Sequence, residues 1–297
     1  MSSNHWFKNL IIFRFEQPFS LSIEQLHEQL QTFPFQPCPS FAWSSMGWIS
    51  PAEYENETQL VYAANRCFLI TLCKQEKILP TTVIRDFVNE KVEQIEEEQQ
   101  REVRRREKDA IKEQIIEELL PRAFVKSSEV SAYIDLEHNW LLIDTASRKK
   151  ADELVSFLRK CLGTLPVVPI EVDQSPSYTM TGWLTRRNLP KPFIFGEDCK
   201  LVSTEGESVT CKQLDLLSNE VQEHLNTGKN VNYLALQWQD RISFVIDQEY
   251  TIKRIRFLNI SEDQLEGYGA DFSIMSLEFR QFITQLLQIF GGLRQTP

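Results

Sequence analysis

The 297-residue chain is poor in the residue types that mark catalytic and metal sites. Its four histidines, His5, His27, His138 and His224, are scattered without metal-ligand spacing, and surface or satisfied roles fit all of them. Its six cysteines (Cys38, Cys67, Cys73, Cys161, Cys199, Cys211) form no CxxC pair. Most sit in apolar runs, as reduced core thiols do. There is no GxGxxG dinucleotide loop and no GxSxG nucleophile elbow. Thr227-Gly228-Lys229 looks like the end of a phosphate loop, but Glu223 stands where the upstream glycine is needed. Asn230 also replaces the hydroxyl that would bind magnesium, so a helix C-cap before a strand explains these residues better. No run reaches the length of a membrane span, and the opening MSSNHWFKNLIIFRF does not read as a signal peptide because Arg14 breaks its short apolar run. The expectation is a soluble, cytoplasmic protein without a cofactor.

An excess of positive charge is also lacking. The net charge is −10 and the pI near 5.1, which repels phosphate over the molecule as a whole. Any nucleic-acid surface must therefore be local. The apolar content of 42% is ample for a core, and the length fits one large domain or two to three smaller ones.

What stands out is the stretch 80–124, PTTVIRDFVNEKVEQIEEEQQREVRRREKDAIKEQIIEELLPRAF. It is rich in helix formers, has no glycine, and carries Pro80 and Pro121 only near its ends. Ile84, Val88, Val92 and Ile95, then Ile111, Ile115 and Leu119, recur at helical spacing, with Val103 nearly alone between them. This predicts an arm projecting from a body, as one helix or as two with a break near Lys108-Asp109. Asp86, Glu90, Glu93 and Glu97 would share a face that Arg101, Arg105, Lys108 and Lys112 continue with the opposite sign, beside Arg104 and Arg106. A solvated helix laced by Glu97–Arg101 and Glu102–Arg106 pairs accounts for the pattern; a basic stripe meeting phosphates is the sharper reading.

Around the arm, strands are expected at 10–15, 60–73, 130–134 and 140–144, the last two as a hairpin about Glu137-His138-Asn139. Helices are expected at 20–30, capped by Ser20 or Ser22, and at 147–162, stopped by Gly163. Trp43, Met46 and Trp48 read as core plugs. The order suggests two related α+β lobes flanking the arm. Residues 173–198, with Pro176, Pro190 and Pro192, read as a linker. Beyond them come strands 199–203 and 207–213, a helix from Ser218 to Asn226, an antiparallel three-strand meander and a helix at 275–290. That last helix is apolar on more than one side, which fits a subunit interface as well as internal packing. The domain reading is a central α+β region from 1–79 and 125–172, the arm at 80–124, and a base at 173–297.

Asp135, Glu137 and Asp144 invite a test for a nuclease site, but no Glu-x-Lys or Asp-x-Lys follows in register on their hairpin. The Asp198-Cys199-Lys200 run has no evident partner carboxylate upstream. Basic residues flank the arm, with Lys74 and Lys77 before it and Arg122 and Lys126 after it. Arg254 and Arg256 would project from one face of a strand, and Lys212-Gln213 stand at a strand end. If they converge, they make a surface that tracks a phosphate backbone without reading bases. A protein–protein adaptor that uses the arm without touching nucleic acid is the competing class.

Seven runs occur in order along nearly the whole chain. They are Trp6-Phe7-Lys8-Asn9, Met46-Gly47-Trp48, Lys74-Gln75-Glu76-Lys77-Ile78-Leu79-Pro80, Leu120-Pro121-Arg122-Ala123-Phe124, Leu165-Pro166-Val167-Val168-Pro169, Leu234-Ala235-Leu236-Gln237-Trp238 and Ala270-Asp271-Phe272. Together they resemble the recombination-associated protein RdgC family. The resemblance implies a horseshoe-like α+β protomer, a ring-shaped homodimer, and nucleoid-associated binding of double-stranded and single-stranded DNA without sequence preference. It implies no catalysis, and restraint of RecA-promoted strand exchange by occupying DNA. Phe124 matches an aromatic at a dimer contact, Lys212-Gln213 a pair on the inner side, and Arg101 the arm's basic run. The residues expected to meet DNA are Lys74, Lys77, Arg101, Arg104, Arg105, Lys108, Arg122, Lys212, Gln213, Arg254 and Arg256. The stretches around 50–60 and 186–206 depart from the family pattern.

Overall fold

The computed structural model describes residues 6–51, 59–258 and 268–294. The apolar runs on both sides of the arm join a single sheet. Its strands are β1 (Ile11–Phe15), β2 (Ser44–Ile49), β3 (Tyr62–Ala64), β4 (Cys67–Ile78), β5 (Phe124–Asp135), β6 (Trp140–Ile143) and β7 (Val167–Pro169). Their order is β2-β4-β5-β6-β1-β7, with β3 also paired to β4. The expected pair of lobes is thus corrected to one sheet. The long antiparallel pairing of Cys67–Ile78 with Phe124–Asp135 ties the chain on the N-terminal side of the arm to the chain on its C-terminal side. Residues 60–73 are a hairpin, turned at Asn65 and Arg66, which both take positive φ. The charged run Lys74–Lys77 does not end the strand, because its backbone keeps pairing with β5.

Period-two alternation sends the two faces of this sheet into different cores. Phe68, Ile70 and Leu72 face helices α1 (Ile23–Leu30) and α4 (Arg148–Leu162), which bury Leu26, Leu30, Leu154 and Leu158. Ser22 caps α1 in a reciprocal capping box with Gln25, and Ser147 caps α4. Gly163, at φ +74, ends α4 where a side chain would be strained. Trp48 fills this core as expected, but Trp43 is half exposed and plugs nothing.

The other face, with Cys67, Leu69, Tyr133 and Leu142, joins the largest core, shared with a second sheet. That sheet contains β8 (Phe193–Val202), β9 (Ser208–Cys211), β10 (Asn230–Trp238), β11 (Ile242–Asp247) and β12 (Ile252–Phe257), in the order β12-β11-β10-β8-β9. The meander β10–β11–β12 is antiparallel as read. The supposed linker is corrected: residues 173–198 hold helix α5 (Pro176–Thr185) and the start of β8. Pro176 sits in the first turn, where a missing N–H costs nothing, and Met180, Trp183 and Leu184 are buried. Helix α6 (Asn219–Asn226) stops at Gly228, whose φ is +86. Helix α7 spans Tyr268–Ile289, starting earlier than expected, and lies between the sheets. Its Phe272 and Phe279 meet Tyr133 and Phe7 of the first sheet's side, while Phe282 meets Trp238 and Phe244 of the second. Most of its apolar sides are therefore packed internally, while Ile274 and Leu277 stay exposed.

The arm is two antiparallel helices, α2 (Thr81–Gln99) and α3 (Arg105–Leu119). The break falls at 100–104, with Gln100 left-handed at φ +52, and not near Lys108-Asp109. Ile84 and Val88 of α2 pack on Ile111 and Ile115 of α3, joined by Val92, Ile95, Val103 and Leu119. Each helix supplies one apolar stripe and the stripes cover each other, which is why residues at both ends of the run were apolar. The continuous charged face does not exist, because Arg101 and Arg104 lie in the turn and Arg105, Lys108 and Lys112 beyond it. Among the described residues no helix is long and apolar enough to cross a membrane.

Candidate functional site: three cationic surfaces

The expected site residues fall in three places. At the arm's turn, Arg104, Arg105 and Lys108 are exposed, and Arg101 is committed to Glu107 by two bonds of 2.7 and 2.6 Å. That contact replaces the expected Glu97–Arg101 pairing. The Arg101 guanidinium holds the Glu107 carboxyl below its ordinary range. Glu96 accepts from the Val103 amide at 2.8 Å and ties the turn to α2.

At the arm's root, Lys74 and Lys77 of β4 pair with Ser128 and Val125 of β5, so the residues before and after the arm are brought together. Lys74 is not free: its Nζ lies 2.9 Å from Glu76 and 3.1 Å from Glu153 of α4. Arg122 lies in the short 3-10 turn Leu120–Arg122 and is exposed. Here the β4–β5 ribbon outruns the helices that cover the rest of the sheet. Phe124 is 83% exposed and stands opposite Ile78, itself 47% exposed. Val125, Trp43 and, in the first turns of α2, Val83 and Phe87 are also exposed. The carbonyl of Trp43 accepts from the Lys77 amide at 2.8 Å.

The third place is the second sheet. Arg254 and Arg256 do not follow plain alternation, because β12 bulges against β11 between Ser243 and Val245 and Arg254 adopts φ +53. The bulge sends Arg254 across the sheet to Asp198 of β8, at 2.9 Å. The other oxygen of Asp198 accepts the Gln213 amide at 3.3 Å. One carboxylate thus joins the Lys212-Gln213 turn to a strand at the far side of the sheet. Sequence reasoning named Lys212, Gln213 and Arg254 separately but missed Asp198 as their junction; no periodicity signals a bulge.

The suspected carboxylates do other work. Asp135 is fully buried and takes two bonds from Arg280 of α7, at 2.8 and 2.9 Å, besides the Glu137 amide and His138 Nδ1. Burial is the largest influence and pushes its pKa up, but the Arg280 bonds and charge together with the Glu137 and His138 amides outweigh it and hold the carboxyl below its ordinary value. Asp144 accepts the Lys8 and Asn9 amides, and burial raises its pKa. Among the described residues no three His, Cys, Asp or Glu side chains group as metal ligands, and His5 lies outside those residues. An open cleft of about 770 Å³ beside α7 is lined by His138, Arg280, Lys191 and Gln285 among others; its one arginine is already engaged by Asp135 and Glu137.

These features define a two-sheet α+β protein with a helical-hairpin arm and open, cation-bearing surfaces. A family model described as "Putative exonuclease, RdgC" matches residues 5–293. The recombination-associated protein RdgC of Psychromonas ingrahamii is 42% identical over 97% of this chain and 98% of its own. That of Aeromonas hydrophila is 42% identical over 98% and 99%, and that of Pseudomonas fluorescens 40% over 98% and 99%. The chain belongs to the RdgC family of recombination-associated proteins.

Proposed function

We propose that the protein is a non-enzymatic DNA-binding homodimer that closes around duplex DNA, contacts it through phosphates without reading sequence, and restrains RecA-promoted strand exchange by occupying the DNA. It would act in the cytoplasm, on the nucleoid, and would also hold single strands. The observation that carries this reading is the junction at Asp198. It gathers Lys212, Gln213 and Arg254, distant in sequence, on a sheet that also bears Lys200, Lys253 and Arg256. This local basic surface on a chain of net charge −10 fits phosphate contact and not general charge attraction. The exposed apolar root, with Phe124 and Ile78 side by side, supports a dimer contact there. Lys74, Lys77 and Arg122 would then border that contact, and Arg101, Arg104, Arg105 and Lys108 would act at the arm's turn.

The test is a plasmid gel shift over a salt series. Binding should fall linearly on a log–log plot, with a slope of about −0.9 per phosphate contact, and change little between unrelated duplexes. No retardation at low salt would leave a protein–protein adaptor. Magnesium-dependent degradation of the linearised plasmid from its ends would instead establish the exonuclease named in the family description.

A further inference from the structure

The outward face of the second sheet carries an aromatic residue that phosphate contact alone does not use. Along β10, Val231, Leu234, Leu236 and Trp238 are buried in the core, which leaves Tyr233, Ala235 and Gln237 half-buried. In register, Tyr233 stands between Lys200 of β8 and Asp247 of β11. Lys253 of β12 bonds Asp247 at 2.6 Å. Arg254 lies across this face with its guanidinium 5.8 Å from the centre of the Tyr233 ring, on its way to Asp198. Its left-handed φ is rare for a non-glycine residue, and the bulge that imposes it aims the side chain here. The floor between these groups is low: a Cβ on Gly196 would come within 2.9 Å of the Ala235 Cβ. Helices α5, α6 and α7 bury their apolar residues in the core behind the sheet, with Leu234 and Leu236.

We propose that this face binds single-stranded DNA, with one base stacked on Tyr233 and the neighbouring phosphates on Lys200, Arg254 and Arg256. The proposal rests on the DNA-binding reading above and deepens it. A duplex hides the faces of its bases and has no use for a half-buried ring among cations, whereas a single strand offers both a base face and a flexible backbone. Charge complementarity favours this occupant. Four cations (Lys200, Lys253, Arg254, Arg256) meet two aspartates, Asp198 and Asp247, each already taken by one of them. Among the described residues Lys200 and Arg256 have no ion pair. Asp198 acts as a latch: it keeps Arg254 over the ring until a phosphate competes for the guanidinium and uncovers Tyr233 for the base.

The experiment compares a fluorescein-labelled oligo-dT with a duplex of equal length, by anisotropy, on the full chain and its Tyr233→Leu, Tyr233→Phe and Asp198→Asn variants. Tyr233→Leu should weaken oligo-dT at least about five-fold and leave the duplex unchanged, because stacking is lost and phosphate contacts are not. Tyr233→Phe should keep the parent affinity, and Asp198→Asn should bind oligo-dT more tightly. Photocrosslinking of the parent protein to an iodouracil-substituted strand should map to the Tyr233 peptide, which tests the site without relying on a variant's folding. Crosslinks elsewhere, or equal weakening of both ligands by Tyr233→Leu at an unchanged melting temperature, would overturn the platform and leave duplex binding intact. If the parent binds neither ligand, the DNA-binding reading fails with it.

Discussion

Arg280 and Asp135 show what a single pair does when it joins layers. Asp135 ends a strand of the first sheet with no solvent exposure, and Arg280 reaches it from α7 while also donating to the Asn65 carbonyl at 2.6 Å. Removing the guanidinium by Arg280→Met strands a buried carboxylate, which costs about 3–5 kcal/mol. Urea unfolding should show that loss, and adding Asp135→Asn should recover part of it. The pH dependence has a definite sign. Because the folded pKa of Asp135 lies below its ordinary value, the pair stabilises the fold fully above the unfolded carboxylate value of about 3.9 and is lost as pH falls through the lower folded value. Asp144, with a raised pKa, works in the opposite sense: its contribution is present at low pH and lost as pH rises through its folded value. The melting-temperature gap between parent and Asp135→Asn should persist down to about pH 4 and close below it. None of this was visible in the sequence. Asp135 and Arg280 are 145 positions apart, and a carboxylate beside a hairpin turn reads equally well as a surface group or a nuclease ligand.

At the scale of the element, the arm was legible in extent and not in shape. Its helix formers and stripes placed its ends, since Pro80 and the Leu120-Pro121 turn bound it in the structure too. The turn was missed because it contains no glycine or proline: Gln100 takes the left-handed conformation that glycine more often supplies. A straight helix and a folded hairpin present the same spacing until the two stripes are known to face each other. The hairpin has its own small core, remote from the two larger ones. Ile111→Ala should therefore cost about 2–4 kcal/mol locally. Hydrogen exchange should show α2 and α3 losing protection together while β4 and β5 within the body keep theirs.

For the whole molecule, the β5–β6 hairpin and the final meander were legible from alternation and turn length. The single first sheet was not, because β4 and β5 are separated by the entire arm and only their length, continuing through Lys74–Lys77, betrays their partnership. The cationic residues were legible as types, while their grouping depended on a bulge and on Asp198. The bare β4–β5 root bears on assembly. Phe124→Ser removes the most exposed large apolar side chain of the described residues and should shift the protein towards monomer at micromolar concentration in sedimentation, with its melting temperature retained. It should also shorten retention on circular plasmid relative to the parent.

One consequence concerns the order in which the chain is made. Trp6 and Phe7, near its start, complete their packing only against Phe257, Met275 and Phe279, near its end. On the ribosome the first sheet can pair its strands and seal its face against α1 and α4 early. Its other face must wait, apolar and open, until α7 has left the exit tunnel. A nascent chain of this protein therefore carries a sticky half-finished surface from the completion of β7 at Pro169 until α7 emerges, and stalling or truncation ahead of α7 releases a product bound for chaperones or aggregation rather than a smaller working protein.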